Sequence, residues 1–175
     1  VAAEIARVLG IPAAEVELAE YQGRPGCASK SFTSAARQLM HGNEILEGCV
    51  SGYDRDKRFK QSAHTLENIL RAFQEKFFEP EHPHSMFLQF ASYCVLDALI
   101  CNVDRHHENW GLLWQVQVGG GSGAENEESR RNGIYQLAPS YDHASSLGRE
   151  LTDEVRLQKL RCGVIAAYVR RGRGG

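Results

Sequence analysis

The stretch "CNVDRHHENWGLL", residues 101–113, decides how this chain is read. Asp104, Arg105, His106, His107, Glu108 and Asn109 follow one another without a break, between two apolar segments. Upstream, "SMFLQFASYCVLDALI" (85–100) predicts a helix capped by Ser85, with Phe87, Phe90, Ala91, Cys94, Val95 and Ala98 on one stripe. It is apolar nearly all round, which predicts a central position. Asp97 is its odd member: a capped or solvent-reaching carboxylate, or a buried one needing a partner in the loop that follows. Downstream, "GLLWQVQV" (111–118) predicts a strand and "IYQLAP" (134–139) its return. That hairpin carries a second acidic loop, "SYDHASSLG" (140–148), back towards the first.

Such an arrangement suits phosphoryl transfer from ATP. One carboxylate orients the attacking hydroxyl and accepts its proton, while an amide oxygen and a second carboxylate hold Mg²⁺ against the phosphates. The spacing from Asp104 to Asn109 is D-x-x-x-x-N, and a hairpin with Asp142 follows, which is the layout of kinases. Oxygen ligands suit Mg²⁺, a hard ion that keeps several waters.

The rest of the chain sets the frame. Its 175 residues make about one domain. Apolar residues at 42% and charged residues at 24% are those of a folded domain rather than a disordered chain. A formal charge of −2 argues against nucleic-acid binding through a broad basic face, and no apolar run is long enough to span a membrane. The five cysteines are far apart with no CxxC pair, so free thiols in a reducing cytoplasm are expected. The start lacks a signal-peptide pattern and an initiator methionine, and reads as a piece of something longer.

Residues 1–9 predict a helix stopped by Gly10 and Pro12. "EVELAEY" (15–21) and "CASKSF" (27–32) read as strands around the turn "QGRPG". "TSAARQLM" (33–40) and "HTLENILRAFQEKFF" (64–78) predict amphipathic helices, separated by the polar "SGYDRDKRFKQS". "GGGSGAENEESRRNG" (119–133) reads as a flexible hairpin tip and "RELTDEVRLQKL" (149–160) as a helix. "RRGRGG" (170–175) is a weak signal for RNA and reads as a surface tail.

"LDALICNVDRHHENWGLL" followed by "YQLAPSYDHASSLG" resembles the carboxy-terminal lobe of the HipA-like serine/threonine kinases, bacterial proteins of toxin–antitoxin modules. The two stretches are similar to that family's "N-x-D-R-H-x-x-N" catalytic loop and its "aP-x-YD-x-x-S-S-L" metal loop. Residues 85–148 carry the likeness well, 1–80 only in outline, and "YVRRGR" resembles a later helical segment.

The resemblance implies an α+β, mostly helical fold: a protein-kinase-like C-terminal lobe with small β-hairpins. It implies a remnant of the N-terminal lobe over 1–33, with an αC-like helix, strands and hinge. The C-terminal lobe would occupy 34–175, truncated at its end. It makes Asp104 the catalytic aspartate and Asn109 and Asp142 the Mg²⁺ ligands. Arg105 and His106 would complete the D-R-H triplet, bracing the loop or meeting phosphate. Lys30 to Phe32 would lie at the adenine hinge, and Glu4 would be the helix glutamate that pairs with the ATP-binding lysine. ATP and Mg²⁺ are the implied cofactors, and a protein Ser/Thr hydroxyl in the cytoplasm the implied substrate. A DNA-binding antitoxin is the implied partner, with no membrane and no direct nucleic-acid contact. "HRD", "DFG" and "APE" are absent, as are a Gly-rich loop and a phosphate-binding strand lysine, so the chain reads as lacking most of its nucleotide-binding lobe.

Other readings compete. Asp, Asn and His cluster at ordinary helix ends. His82, His84, His106, His107 and His143 offer imidazoles for zinc, although adjacent histidines rarely point at one metal. "D-R-H-x-x-N" also resembles phosphatidylinositol kinases, which carry a different acidic loop. A lobe without its phosphate-gripping partner is also open to a life as a pseudokinase or interaction module. Ser145 and Ser146 read as making local hydrogen bonds, and Tyr141 as packing on the loop.

Overall fold

In a computed structural model, residues 1–58, 60–76, 85–116, 133–149, 151–164, 166 and 167 are described. The 119–132 hairpin tip, His82, His84 and the "YVRRGR" tail lie outside them. Five helices and five strands are present among the described residues: α1 (Ala2–Val8), β1 (Val16–Tyr21), β2 (Arg24–Ser29), β3 (Arg37–His41), α2 (Gly42–Cys49), α3 (Leu66–Lys76), α4 (Ser85–Ile100), β4 (Gly111–Val116), β5 (Gly133–Leu137) and α5 (Asp153–Arg161). The fold is α+β.

β1 and β2 form the expected hairpin. Its turn is Gln22–Gly23, both at positive φ, the type I′ geometry whose twist matches two antiparallel strands. Arg24 and Pro25 therefore belong to the second strand, opposite Tyr21 and Glu20. Every residue of this hairpin is exposed.

β3, β4 and β5 make an antiparallel sheet with β4 central. β3 corrects the helix expected over "TSAARQLM". Met40 packs on the core, and Leu39 pairs with Leu113 of β4. Pairing with a buried apolar strand outweighs the helical preference of a short Ala/Leu/Met segment. Immediately after it comes α2, which the sequence reading did not anticipate. Its first turn is closed by the Glu44 carboxylate accepting from His41 N at 2.8 Å, and Ile45 and Leu46 are buried.

α4 is a helix over the expected span, but its buried face is rotated. Met86, Phe90, Tyr93, Leu96, Asp97 and Ile100 face inward, while Phe87, Val95 and Ala98 are exposed. Polar anchors set this rotation. Tyr93 donates from its hydroxyl to Ala138 O at 2.8 Å, and Asp97 reaches into the loop beyond the helix. The outer face leaves Leu88 and Leu99 in solvent, so α4 is buried on one side only. α5 is shorter than expected, capped by Thr152, and buries no residue.

The core lies where α2, α3 and α4 meet the sheet. Trp110 is its centre, with Phe90 and Phe73 ring centroids 5.3 and 5.9 Å away, both edge-on. All five cysteines are free thiols. No helix among the described residues is long and apolar enough to cross a membrane.

Candidate active site

α4 ends at Cys101, whose φ of +53° turns the chain out of the helix and into the polar loop. Asp97 is 1% exposed, and its partners do stand in that loop. Asn102 Nδ2 donates to it at 2.8 Å, and the Arg105 guanidinium grips both carboxylate oxygens at 2.7 Å. Burying a charge this deeply is tolerable only with such pairing.

Arg105 does more than neutralise Asp97. Its remaining N–H groups donate to Asn109 O at 2.6 Å, Tyr141 O at 3.2 Å and Ser140 Oγ at 2.9 Å. All five guanidinium hydrogens are thereby used, tying α4, the Asp104 loop and the Asp142 loop together. Arg105 is thus a positioning residue with no donor left for phosphate. Ser140 Oγ, accepting from Arg105, is also hydrogen-bonded to His143 Nε2 at 2.8 Å. Two backbone bonds join the loops again, Val103 N to Ser145 O and Leu147 N to Ile100 O.

The second support comes from the N-terminus of α2. Gly42 N donates to Trp110 O and Asn43 N to His107 O, each at 2.9 Å. A Cβ on Gly42 would collide with the Trp110 ring and the His107 carbonyl, so only glycine permits this approach. The Tyr141 hydroxyl donates to Glu108 O at 2.9 Å. His41 Nδ1 lies 3.0 Å from the same carbonyl and 3.1 Å from the Tyr141 hydroxyl. Burial pushes the Tyr141 hydroxyl pKa well up, keeping it a donor.

Against this frame, the chemically useful groups are left uncommitted. The Asp104 carboxylate is 40% exposed and accepts no hydrogen bond among the described residues; His106 Nε2 lies 3.8 Å from it. Asn109 donates from Nδ2 to Asp104 O at 2.7 Å, which fixes its side chain and leaves Oδ1 without a partner among the described residues. Asp142 is exposed, at a φ of +53°, and its carboxylate accepts no hydrogen bond among the described residues. Hard oxygen atoms held by a rigid backbone are the donor set that suits Mg²⁺. No group of three or more His, Cys, Asp or Glu side chains able to hold a metal occurs among the described residues.

His106 receives Arg58 through Nε2 at 3.1 Å, and burial lowers its pKa. His107 is turned into the core, its Nδ1 2.7 Å from the Tyr53 hydroxyl. Phe32 packs on Tyr141, the residue before Asp142, with ring centroids 5.6 Å apart. Lys30 instead pairs with Glu15 on the surface at 3.0 Å, and Glu4 pairs with Arg7 at 2.8 Å. Ser146 makes the local bond expected of it, to His143 O at 2.6 Å.

A model of the HipA-like C-terminal domain matches residues 1–166. The chain belongs to the HipA-like C-terminal domain family. Among curated proteins, this HipA-like domain is 29% identical over 164 residues to the serine/threonine-protein kinase CtkA of Helicobacter pylori, covering 91% of the chain and 42% of that relative. Among solved structures, it superposes on the crystal structure of the H. pylori proinflammatory kinase CtkA with a TM-score of 0.71 and 26% identity, over 97% of the chain and 54% of that structure. The HipA-like domain thus spans about half the length of the relatives it matches. The kinase-like fold expected from the two loops is the fold found.

Proposed function

We propose that this domain carries the catalytic aspartate and the metal-holding groups of a kinase transferring the γ-phosphoryl group of ATP to a serine or threonine hydroxyl of a protein. One observation carries the reading. The Arg105 brace fixes two loops rigidly while leaving Asp104, Asn109 Oδ1 and Asp142 uncommitted on them. Asp104 orients the acceptor hydroxyl and takes its proton. Asn109 and Asp142 are the groups to hold Mg²⁺. Bound there, the ion would neutralise phosphate charge. Phe32, on Tyr141 next to Asp142, is better placed than Lys30 to meet the nucleotide.

Family membership supports a protein substrate over a phosphoinositide. It is also the sole support for a cytoplasmic toxin–antitoxin setting with a small DNA-binding partner. The test is nucleotide affinity of the natural chain containing this domain, measured with a fluorescent ATP analogue in Mg²⁺ and in EDTA. Asp142→Ala should lose most of the Mg²⁺-dependent increment; an unchanged increment would remove Asp142 from the metal site.

A further inference from the structure

Two side chains that the proposed chemistry does not use meet at the peptide unit between Glu108 and Asn109. The Glu108 carbonyl accepts from the Tyr141 hydroxyl at 2.9 Å, and His41 Nδ1 stands 3.0 Å from that oxygen and 3.1 Å from the hydroxyl. The three atoms form a closed triangle. Because a peptide unit is planar, holding Glu108 O also orients the N–H and Cα of Asn109. That N–H donates to His106 O at 2.9 Å, and the Asn109 side-chain amide donates to Asp104 O at 2.7 Å. The orientation of Asn109 is thus fixed from His41 and Tyr141 as well as from within its own loop.

The same triangle reaches Asp142. Tyr141 is the residue before it, tied at its hydroxyl to Glu108 and at its carbonyl to Arg105. Phe32 and His41 flank its ring, with centroids 5.6 and 6.2 Å away. Asp142 itself has a φ of +53°, a conformation that a non-glycine residue keeps only where its surroundings hold it. The sheet delivers His41: it closes β3 opposite Gly111, and its backbone N donates to the Glu44 carboxylate at 2.8 Å. A Cβ on Gly111 would collide with Met40 O and press on the His41 Cα at 3.2 Å, so glycine lets the end of β3 come this close. Both His41 and Tyr141 are half-buried and stand outside the hydrophobic core, so core packing does not account for the triangle.

We propose that His41 and the Tyr141 hydroxyl are positioning residues that set the spacing between Asn109 and Asp142, and so tune the affinity and selectivity of the site for Mg²⁺. The inference rests on the proposed metal role of Asn109 and Asp142 and deepens it. Mg²⁺ demands near-ideal octahedral geometry with short bonds, whereas Ca²⁺ accepts longer and less regular ones. Loosening the Glu108 carbonyl therefore penalises Mg²⁺ first. Removing a group that holds a metal ligand from behind typically costs about 10–100-fold in metal affinity.

The experiment uses the natural chain containing this domain. Anisotropy of a fluorescent ATP analogue is followed while Mg²⁺ or Ca²⁺ is titrated, with affinity in EDTA and melting temperature measured alongside. Tyr141→Phe keeps the ring against Phe32 and deletes the hydroxyl. It should raise the Mg²⁺ concentration for half-maximal enhancement about tenfold and that for Ca²⁺ less, with affinity in EDTA and melting temperature close to wild type. His41→Leu should do the same, and His41→Asn, whose amide can donate near the position of Nδ1, should recover most of the loss. An unchanged Mg²⁺ midpoint in both Tyr141→Phe and His41→Leu overturns the positioning role, and leaves the metal role standing where Asp142→Ala still abolishes the increment. Equal weakening in Mg²⁺, Ca²⁺ and EDTA with a lowered melting temperature also overturns it, since the triangle then supports only the fold. No Mg²⁺-dependent increment in the wild type overturns the metal role, and the positioning role with it.

Discussion

At the scale of the residue, Arg105 decides whether the site exists. Its five N–H groups serve Asp97, Ser140 and the carbonyls of Asn109 and Tyr141. Removing it strands a buried carboxylate and three other acceptors. Arg105→Met should therefore cost about 3–5 kcal/mol of stability, read from the denaturant midpoint. Arg105→Lys should recover little, because an ammonium cannot reproduce the planar fork. A stable Arg105→Met protein with intact loops would show that the brace is dispensable. That Asp104 and Asn109 share one loop and Asp142 stands on a second was legible in the sequence, from the D-x-x-x-x-N spacing and the hairpin that follows. The role of Arg105 was not, since bracing and phosphate binding call for the same side chain. Only the burial of Asp97, eight residues earlier, separates the two.

At the scale of the element, the loop is held as much by α2 as by its own residues. The first turn of α2 donates to His107 O and Trp110 O, and Gly42 lets the indole come close enough for that. Gly42→Ala should destabilise the domain by about 1–3 kcal/mol through overpacking. It should also slow phosphoryl transfer, because the loop must shift with the helix. Wild-type stability in this variant would mean that the backbone relaxes and that the contact carries little. This support was hidden in the sequence. "TSAARQLM" has the composition of a helix, yet its second half becomes β3 because β4 offers a buried edge. α2 starts at a glycine directly after that strand, where no Ser, Thr, Asp or Asn cap announces it. α4 was legible in extent but not in rotation, because an all-round apolar helix has no periodicity to reveal its buried face.

At the scale of the whole molecule, histidines buried around Trp110 make the fold sensitive to acid. His64 Nε2 accepts from the Trp110 indole at 3.0 Å, and burial pulls its pKa from 6.5 to about 4, with His107 and His106 acting in the same direction. The unfolded chain binds a proton near pH 6.5, while the folded chain holds out to about 4. Stability from this group is therefore complete above pH 6.5 and falls as pH drops towards 4, by up to about 3 kcal/mol. His107 and His143, lowered by burial too, steepen the same limb. His64→Gln keeps an acceptor for the indole and should flatten the acid limb of a melting-temperature profile between those pH values; an unchanged slope would place the sensitivity elsewhere.

The most direct measurement is incorporation of phosphate from γ-labelled ATP into protein serine or threonine by the natural chain containing this domain, with Asp104→Ala beside it. The expected result is transfer by the wild type and a loss of about 100-fold or more in the variant, with the melting temperature preserved. Transfer that survives in a folded Asp104→Ala protein would contradict the assignment of Asp104 as the catalytic aspartate.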